Sequence, residues 1–222
     1  MRAEYHAVRT MSPAFLSLPP AALRAYITER LAVAPPQAAI GMSDGHRFPG
    51  REGPPRQAAV LLPLVDRAEG VSVLLTERSA DLPDHPGQIS FPGGRVEPED
   101  RDAEAAALRE AYEETGLPQA RVVILGQLPH YTTVTGYEVA PVVGWVEPPF
   151  ELVRHPLEVA DIFEVPLAFL LDPQNQKRHF RMINEIRRDY WAIPYAERYI
   201  WGATAAMLMM FDQVLRAGEA SP

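Results

Sequence analysis

Cysteine is absent from the 222 residues, and with it go disulfide staples, thiolate catalysis and cysteine-ligated zinc. Any metal the chain holds is expected to be a hard ion on oxygen ligands. Long apolar runs are missing too. Met1, Arg2, Ala3, Glu4, Tyr5 and His6 are not followed by an apolar core of signal-peptide length, and the longest late apolar stretch, residues 200–211, is too short to span a bilayer. These absences point to the cytoplasm and away from a membrane. Nor is there an excess of basic charge. The 21 Lys and Arg face 29 Asp and Glu, a formal net charge of -8, so no broad surface is available to neutralise a phosphate backbone and nucleic acid is not an expected partner. A small polyanion is still compatible with that balance, given local help from divalent cations held on the chain's own carboxylates. Internal repeats and low-complexity segments are not visible either.

What is present is material for one filled core with peripheral elements, because 47% of the residues are hydrophobic and 23% charged. Residues 1–57 read as an N-terminal helix and a proline-rich wrapping segment of the same domain, 58–216 as the main domain and 217–222 as a tail. Within 19–33, Leu23, Tyr26, Ile27 and Leu31 recur at helical spacing behind Pro19 and Pro20. That is a packing or interface helix. From 34 to 57, Pro35, Pro36, Pro49, Gly50, Gly53, Pro54 and Pro55 suit a surface loop. Residues 58–65 and 71–76 are β-rich and joined by a hairpin connection over 66–70. Further strands are expected at 121–128, 137–146, 161–165 and 178–183, with a helix over 103–115 stopped by Gly116 and a closing helix over 199–216.

The helix over 103–115 carries the chemistry. At about 100° per residue, Glu110, Glu113 and Glu114 stand at i, i+3 and i+4 and share one face, while Leu108, Ala111 and Tyr112 are expected on the other. Like charges at that spacing repel by a few tenths of a kcal/mol per pair on an exposed helix, and by more where water is scarce. Divalent cations reverse the sign, and magnesium is suited to a few carboxylates shared with phosphate oxygens. Arg109, four residues before Glu113, can pair with it and fix its orientation. Gly93 and Gly94 ahead of the helix permit close backbone approach to a ligand or metal.

This stretch resembles the Nudix box, Gly-x5-Glu-x7-Arg-Glu-U-x-Glu-Glu-x-Gly-U with U aliphatic. Gly94, Arg109, Glu110, Ala111, Glu113, Glu114, Gly116 and Leu117 fit it in order. Two departures stand out: Asp100 occupies the place of the first Glu, and eight residues instead of seven separate it from Arg109. The resemblance implies an α/β/α sandwich around a mixed sheet, with Mg2+ or Mn2+ held by Glu110, Glu113 and Glu114 and one of these carboxylates oriented by Arg109. It also implies a backbone carbonyl of Gly93 or Gly94 as a further ligand and a carboxylate from outside the box, for which Glu158 is the candidate and Asp161 the reserve.

Upstream, Leu74, Leu75, Thr76, Arg78, Ser79, Leu82, His85, Gly87, Gln88, Phe91, Pro92, Gly93 and Gly94 are similar to the signature of the coenzyme A pyrophosphatase branch of that family, although Pro83 stands where the branch often has a basic side chain. Similarity continues through residues 158–167 and 200–205, so it spans roughly 58–210. On their own chemistry, Arg78 is a forked donor for a phosphate or for an acidic neighbour. His85 and Gln88 are polar contacts or loop braces. Trp201, Met207, Met209 and Met210 read as packing. The branch resemblance implies attack by metal-activated water on the diphosphate of coenzyme A, giving 3′,5′-ADP and 4′-phosphopantetheine, with a nearby Glu taking the proton. The rival readings are a pyrophosphatase of another nucleotide diphosphate, such as ADP-ribose or a dinucleotide, and a noncatalytic nucleotide-binding module. The N-terminal helix and the proline-rich stretch offer surface for a homodimer.

Overall fold

In the computed structural model, which describes residues 13–33, 53–183 and 185–217, the two leading apolar runs form β1 (Arg56–Arg67) and β2 (Gly70–Arg78). They pair antiparallel out to Arg67 opposite Gly70, so that Ala68 and Glu69 alone make the turn. β7 (Tyr137–Val146) lies on the other side of β1 and runs parallel to it, from Arg56 opposite Tyr137 to Val65 opposite Val146. β5 (Val122–Gln127) adds to β7 and β8 (Val159–Pro166) to β2, both antiparallel. Short strands β3 (Ile89–Ser90), β4 (Gly93–Arg95) and β6 (Tyr131–Thr132) complete a mixed sheet of eight.

Because side chains alternate across a strand, β1 feeds two cores at once. Ala59, Leu61 and Val65 join Ala140, Val142 and Val146 of β7 on one face, and there they meet Ala106, Ala107 and Ala111 of α2 (Ala103–Thr115). Leu62 and Leu64 face the other way with Val143 and Trp145, against Leu23, Ile27 and Leu31 of α1 (Pro20–Ala32), Leu167 and Leu170 of the short α3 (Leu167–Leu170), and Leu208, Phe211 and Leu215 of α4 (Ala203–Arg216). The result is the expected α/β/α layering around a mixed sheet. The apolar face of α1 is consumed inside the chain by α4 and β5, with the Tyr26 hydroxyl donating to the Leu215 carbonyl at 2.6 Å. Residues 34–52 of the proline-rich segment lie outside the described residues. Among the described residues no helix is long and apolar enough to cross a membrane.

Three expectations change. The closing helix does not begin at Tyr199: residues 198–201 form β11 (Arg198–Trp201), and α4 starts only after Gly202, whose φ of 64° breaks the strand. Tyr, Ile and Trp in succession favour a half-buried strand, with Ile200 inside and Tyr199 outside. Second, β11 belongs to a separate three-stranded sheet with β9 (Lys177–Ile183) and β10 (Ile186–Tyr195). β10 has no clean apolar alternation to announce it, because Arg187, Arg188 and Asp189 occupy its first half. Third, Tyr112 does not share a buried stripe with Ala111; it is 55% exposed. The face of α2 that meets the sheet is built from small residues, Ala106, Ala107, Ala111 and Thr115, and a tyrosine would hold it off.

Close packing also governs the centre of the sheet. At Gly144 of β7, an added Cβ would lie 2.6 Å from Cγ1 of Val122 and 3.0 Å from Cδ1 of Leu61. Gly144→Ala is expected to lower the free energy of unfolding by about 1–3 kcal/mol, read from urea titrations. A change smaller than a few tenths of a kcal/mol would show that the α2 face is not packed this tightly.

Candidate active site

The site is built where β4 passes under α2. The Gly93 amide donates to Oε2 of Glu114 at 3.2 Å. Neither glycine tolerates a side chain: a Cβ on Gly93 would fall 2.4 Å from the Ala59 carbonyl oxygen, and one on Gly94 would fall 2.4 Å from the carboxylate carbon of Glu110. Gly93 therefore lets β4 close against β1, and Gly94 lets the Glu110 carboxylate lie directly against the β4 backbone. Asp102 caps the N-terminus of α2 by accepting from the Ala105 amide at 2.8 Å, and Gly116 ends the helix in the left-handed conformation with φ 70°. The acids are thus held at fixed register over the strand.

Arg109 organises the surroundings. It donates from Nε and Nη2 to the two oxygens of Asp100 at 3.0 and 2.8 Å, from Nη2 to the Arg95 carbonyl at 3.1 Å, and from Nη1 toward Glu110 and Glu113, each at 3.1 Å. A fork that fits a carboxylate with two parallel bonds gives direction as well as charge. Asp100 is held below the usual carboxylate range by that bond to Arg109, against the opposing effect of burial. Its shorter side chain and the one-residue shift relative to the Nudix box are accommodated in the loop, where the Glu97 amide donates to Asp100 at 2.9 Å.

The three helix carboxylates, alike in the sequence, sit at different depths. Glu114 is 5% exposed, Glu110 is half-buried and Glu113 faces solvent. Burial pushes the Glu114 carboxyl up to about 8; the Gly93 amide and Arg78 pull the other way, while Glu110 and Glu158 reinforce the rise. Glu110 is also raised, first by burial, with Arg109 opposing and Glu113 and Glu158 adding to it. Negative charge is crowded into a place that water cannot relieve.

A cleft of about 480 Å³ opens at this point, lined by Arg95, Glu97, Arg109, Glu110, Glu113, His155 and Glu158. Glu158 is delivered to it by the segment after β7, which is tied to α2 by the Val153 amide on the Thr115 carbonyl and the His155 amide on the Glu114 carbonyl, both 2.8 Å. The Ser79 amide holds the Glu158 carbonyl at 2.8 Å. Asp161, the reserve candidate, is elsewhere: it bonds Arg198, which also pairs with Glu77. Arg78 ends β2, and its charge bears on Glu114. Gln88 is half-buried and His85 exposed, in the turn between β2 and β3 and outside the cleft wall. Arg95, Glu97 and His155 were missed in the sequence. Arg95 and Glu97 follow directly on Gly94, and His155 precedes Glu158 by three residues, so adjacency was the available signal.

Among the described residues no three acidic or histidine groups already converge as a metal-ligand cluster, since Arg109 engages Glu110 and Glu113 while Gly93 engages Glu114. The donor set still fits a hard divalent cation: its atoms are carboxylate oxygens, and burial, with a smaller contribution from neighbouring acids, disfavours the charged forms of Glu110 and Glu114, which a cation would offset.

The family profile of the NUDIX domain matches residues 55–185. An uncharacterised Nudix hydrolase, NudL, of Enterobacter sp. (strain 638) is 43% identical over 155 residues, 69% of this chain and 79% of that protein. NudL of Escherichia coli (strain K12) is 41% identical over 157 residues, with the same two coverages of 69% and 79%. In three dimensions, RenU, a Nudix hydrolase from M. smegmatis, superposes with a TM-score of 0.51 over 77% of this chain and 92% of its own at 19% identity, a likeness of fold. The chain belongs to the Nudix family. As an enzyme it falls in the class of Nudix pyrophosphohydrolases, which generally use divalent metal ions.

The raised Glu114 fixes a pH dependence for the metal-free protein. With a folded pKa near 8 against 4.5 unfolded, the folded state keeps a proton that the unfolded state releases, so Glu114 costs stability increasingly as pH rises from 4.5 through 8 and costs nothing well below pH 4.5. Glu114→Gln is expected to raise the melting temperature of metal-free protein by a few degrees at pH 8 and to leave it nearly unchanged at pH 4.5. An equal change at both values would contradict the burial argument.

Proposed function

We propose that the chain hydrolyses the diphosphate linkage of coenzyme A or its derivatives, giving 3′,5′-ADP and 4′-phosphopantetheine. The observation that carries the reaction type is the buried Glu114 and half-buried Glu110 against Gly93 and Gly94, with Glu110, Glu113 and Glu158 lining the adjoining cleft. Glu110, Glu113 and Glu114 would hold Mg2+ or Mn2+, which supplies neutralisation of the phosphate oxygens and activation of the attacking water. Arg109 is a positioning residue: with its guanidinium committed to Asp100 and the Arg95 carbonyl, it fixes where Glu110 and Glu113 point. Water adds to one phosphorus, the bond from that phosphorus to the bridging oxygen breaks, and the departing phosphate keeps the oxygen. Glu158, which lines the same cleft from the segment after β7, takes the water's proton.

The preference for coenzyme A rests on the segment ahead of the box. Its ends are clasped, the Arg78 amide donating to the Gln88 carbonyl at 2.9 Å and the Gly87 amide to the Arg78 carbonyl at 3.2 Å, and Nη2 of Arg78 reaches the Asp84 carbonyl at 3.3 Å. Nε of Arg78 is buried and, among the described residues, has no hydrogen-bond partner. A buried charged donor left open costs free energy unless a ligand oxygen fills it, which supports a phosphate contact at this end of β2. His85 and Gln88 shape the same loop.

Glu114→Gln is expected to lower kcat by at least about a hundredfold, in the range seen when a group that stabilises transition-state charge is removed, with circular dichroism unchanged. Arg78→Ala should raise KM more than it lowers kcat. Turnover of coenzyme A compared with ADP-ribose at equal Mg2+ tests the substrate: a higher kcat/KM for coenzyme A is expected, and a clear preference for ADP-ribose would overturn the assignment. Release of no product from either substrate, with Mg2+ or Mn2+, would favour a noncatalytic module.

A further inference from the structure

The acids of the cleft suit a metal-bridged diphosphate but repel any additional phosphate the substrate carries. Two arginines near them are uncommitted. Arg95, which lines the cleft, donates from Nη2 to the Tyr137 hydroxyl at 3.3 Å. Arg56, opposite Tyr137 in the parallel pairing of β1 with β7, lays its guanidinium over the Tyr137 ring, 4.1 Å from the centroid. Among the described residues neither has a carboxylate within 4.0 Å, whereas Arg109 in the same cleft holds three. Asp84, in the β2–β3 turn, reaches Arg95 only through its field, beyond pairing distance. Glu138, beside Tyr137 in the chain, accepts from Gln57 instead, at 2.9 Å.

The strands that carry this corner are fixed. Arg95 stands opposite Ala58 in the β1–β4 pairing, and its carbonyl is held by Arg109. Its side chain projects from that anchored backbone into solvent at the cleft rim. In a chain of net charge -8, two open guanidinia around one tyrosine form a local anion site, and planar forks with five donors each match the three oxygens of a phosphate monoester. The Tyr137 hydroxyl adds a neutral donor.

We propose that Arg95 and Arg56, arranged around Tyr137, form a subsite for a phosphate monoester on the nucleotide half of the substrate, separate from the carboxylates that act on the diphosphate. The assignment rests on the coenzyme A reading in naming that monoester as the 3′-phosphate. The subsite discriminates between nucleotides with and without it and has no part in bond cleavage.

Equilibrium binding of 3′,5′-ADP and of 5′-AMP, by calorimetry without metal, tests this without needing turnover. The native chain should bind 3′,5′-ADP at least about tenfold more tightly than 5′-AMP, the scale of one charge-assisted contact. Arg95→Ala should abolish that ratio, Arg56→Ala should reduce it and Arg95→Lys should restore part of it, with melting temperatures close to native. Equal affinity of the native chain for the two nucleotides, or a ratio untouched by Arg95→Ala, would overturn the subsite. Failure to cut coenzyme A, combined with an Arg95-dependent preference for 3′,5′-ADP, would overturn the proposed reaction and leave the subsite standing.

Discussion

A carboxylate buried beside a pair of strand glycines is the constraint on which the rest of this architecture turns. Glu114 is nearly inaccessible and takes a hydrogen bond from the Gly93 amide, while Glu110 lies where a Cβ on Gly94 would fall; the missing Cβ of Gly93 instead lets β4 close against Ala59 and Val60 of β1. Both acids are shifted upward by desolvation, so the fold holds them in a state that costs stability when metal is absent. Such a cost makes sense at a place where a cation will offset it. The alanines of α2 are part of the same arrangement, because a larger residue at Ala107 or Ala111 would lift the helix and separate its acids from the glycines.

Charge around this point is divided between groups that are committed and groups that are free. Arg109 is fully occupied by Asp100, Glu110, Glu113 and a backbone carbonyl, and so acts by holding other groups in place. Arg78, Arg56 and Arg95 carry no paired carboxylate among the described residues; they stand at the ends of β2, β1 and β4, and Arg95 lines the acidic cleft. On the proposed reading, an anion approaching this acidic protein meets those guanidinia first and reaches the carboxylates with its charge partly balanced. The opposite face of the sheet, with α1 and α4, supplies the apolar burial that keeps these strand ends in register.

The chemistry-bearing part of the chain was the most legible in sequence, because it is local. Thirteen consecutive residues of α2, with Asp102 before and Gly116 after, fix both a helix and the face on which Glu110, Glu113 and Glu114 fall. β1, β2 and β7 were equally plain, each being a long apolar run buried on both sides. What escaped depends on contacts distant in sequence. No periodicity shows that Glu114 is buried and Glu113 is not, since the strand passing beneath the helix decides it. Nor does sequence reveal that Asp161 is taken by Arg198 while Glu158 reaches the cleft. β10 is hidden by its charged first half, and β11 reads as the start of α4 because a single glycine, Gly202, separates them.

The account stands on the buried acids being cation ligands, and the most direct measurement is a titration of the protein with Mn2+ at pH 8, followed by the loss of free-ion electron paramagnetic resonance signal. Native protein should take up Mn2+ with saturable affinity, and the double variant Glu110→Gln with Glu114→Gln should lose that uptake while remaining folded. Equal uptake by the two proteins, or none by either, would contradict it.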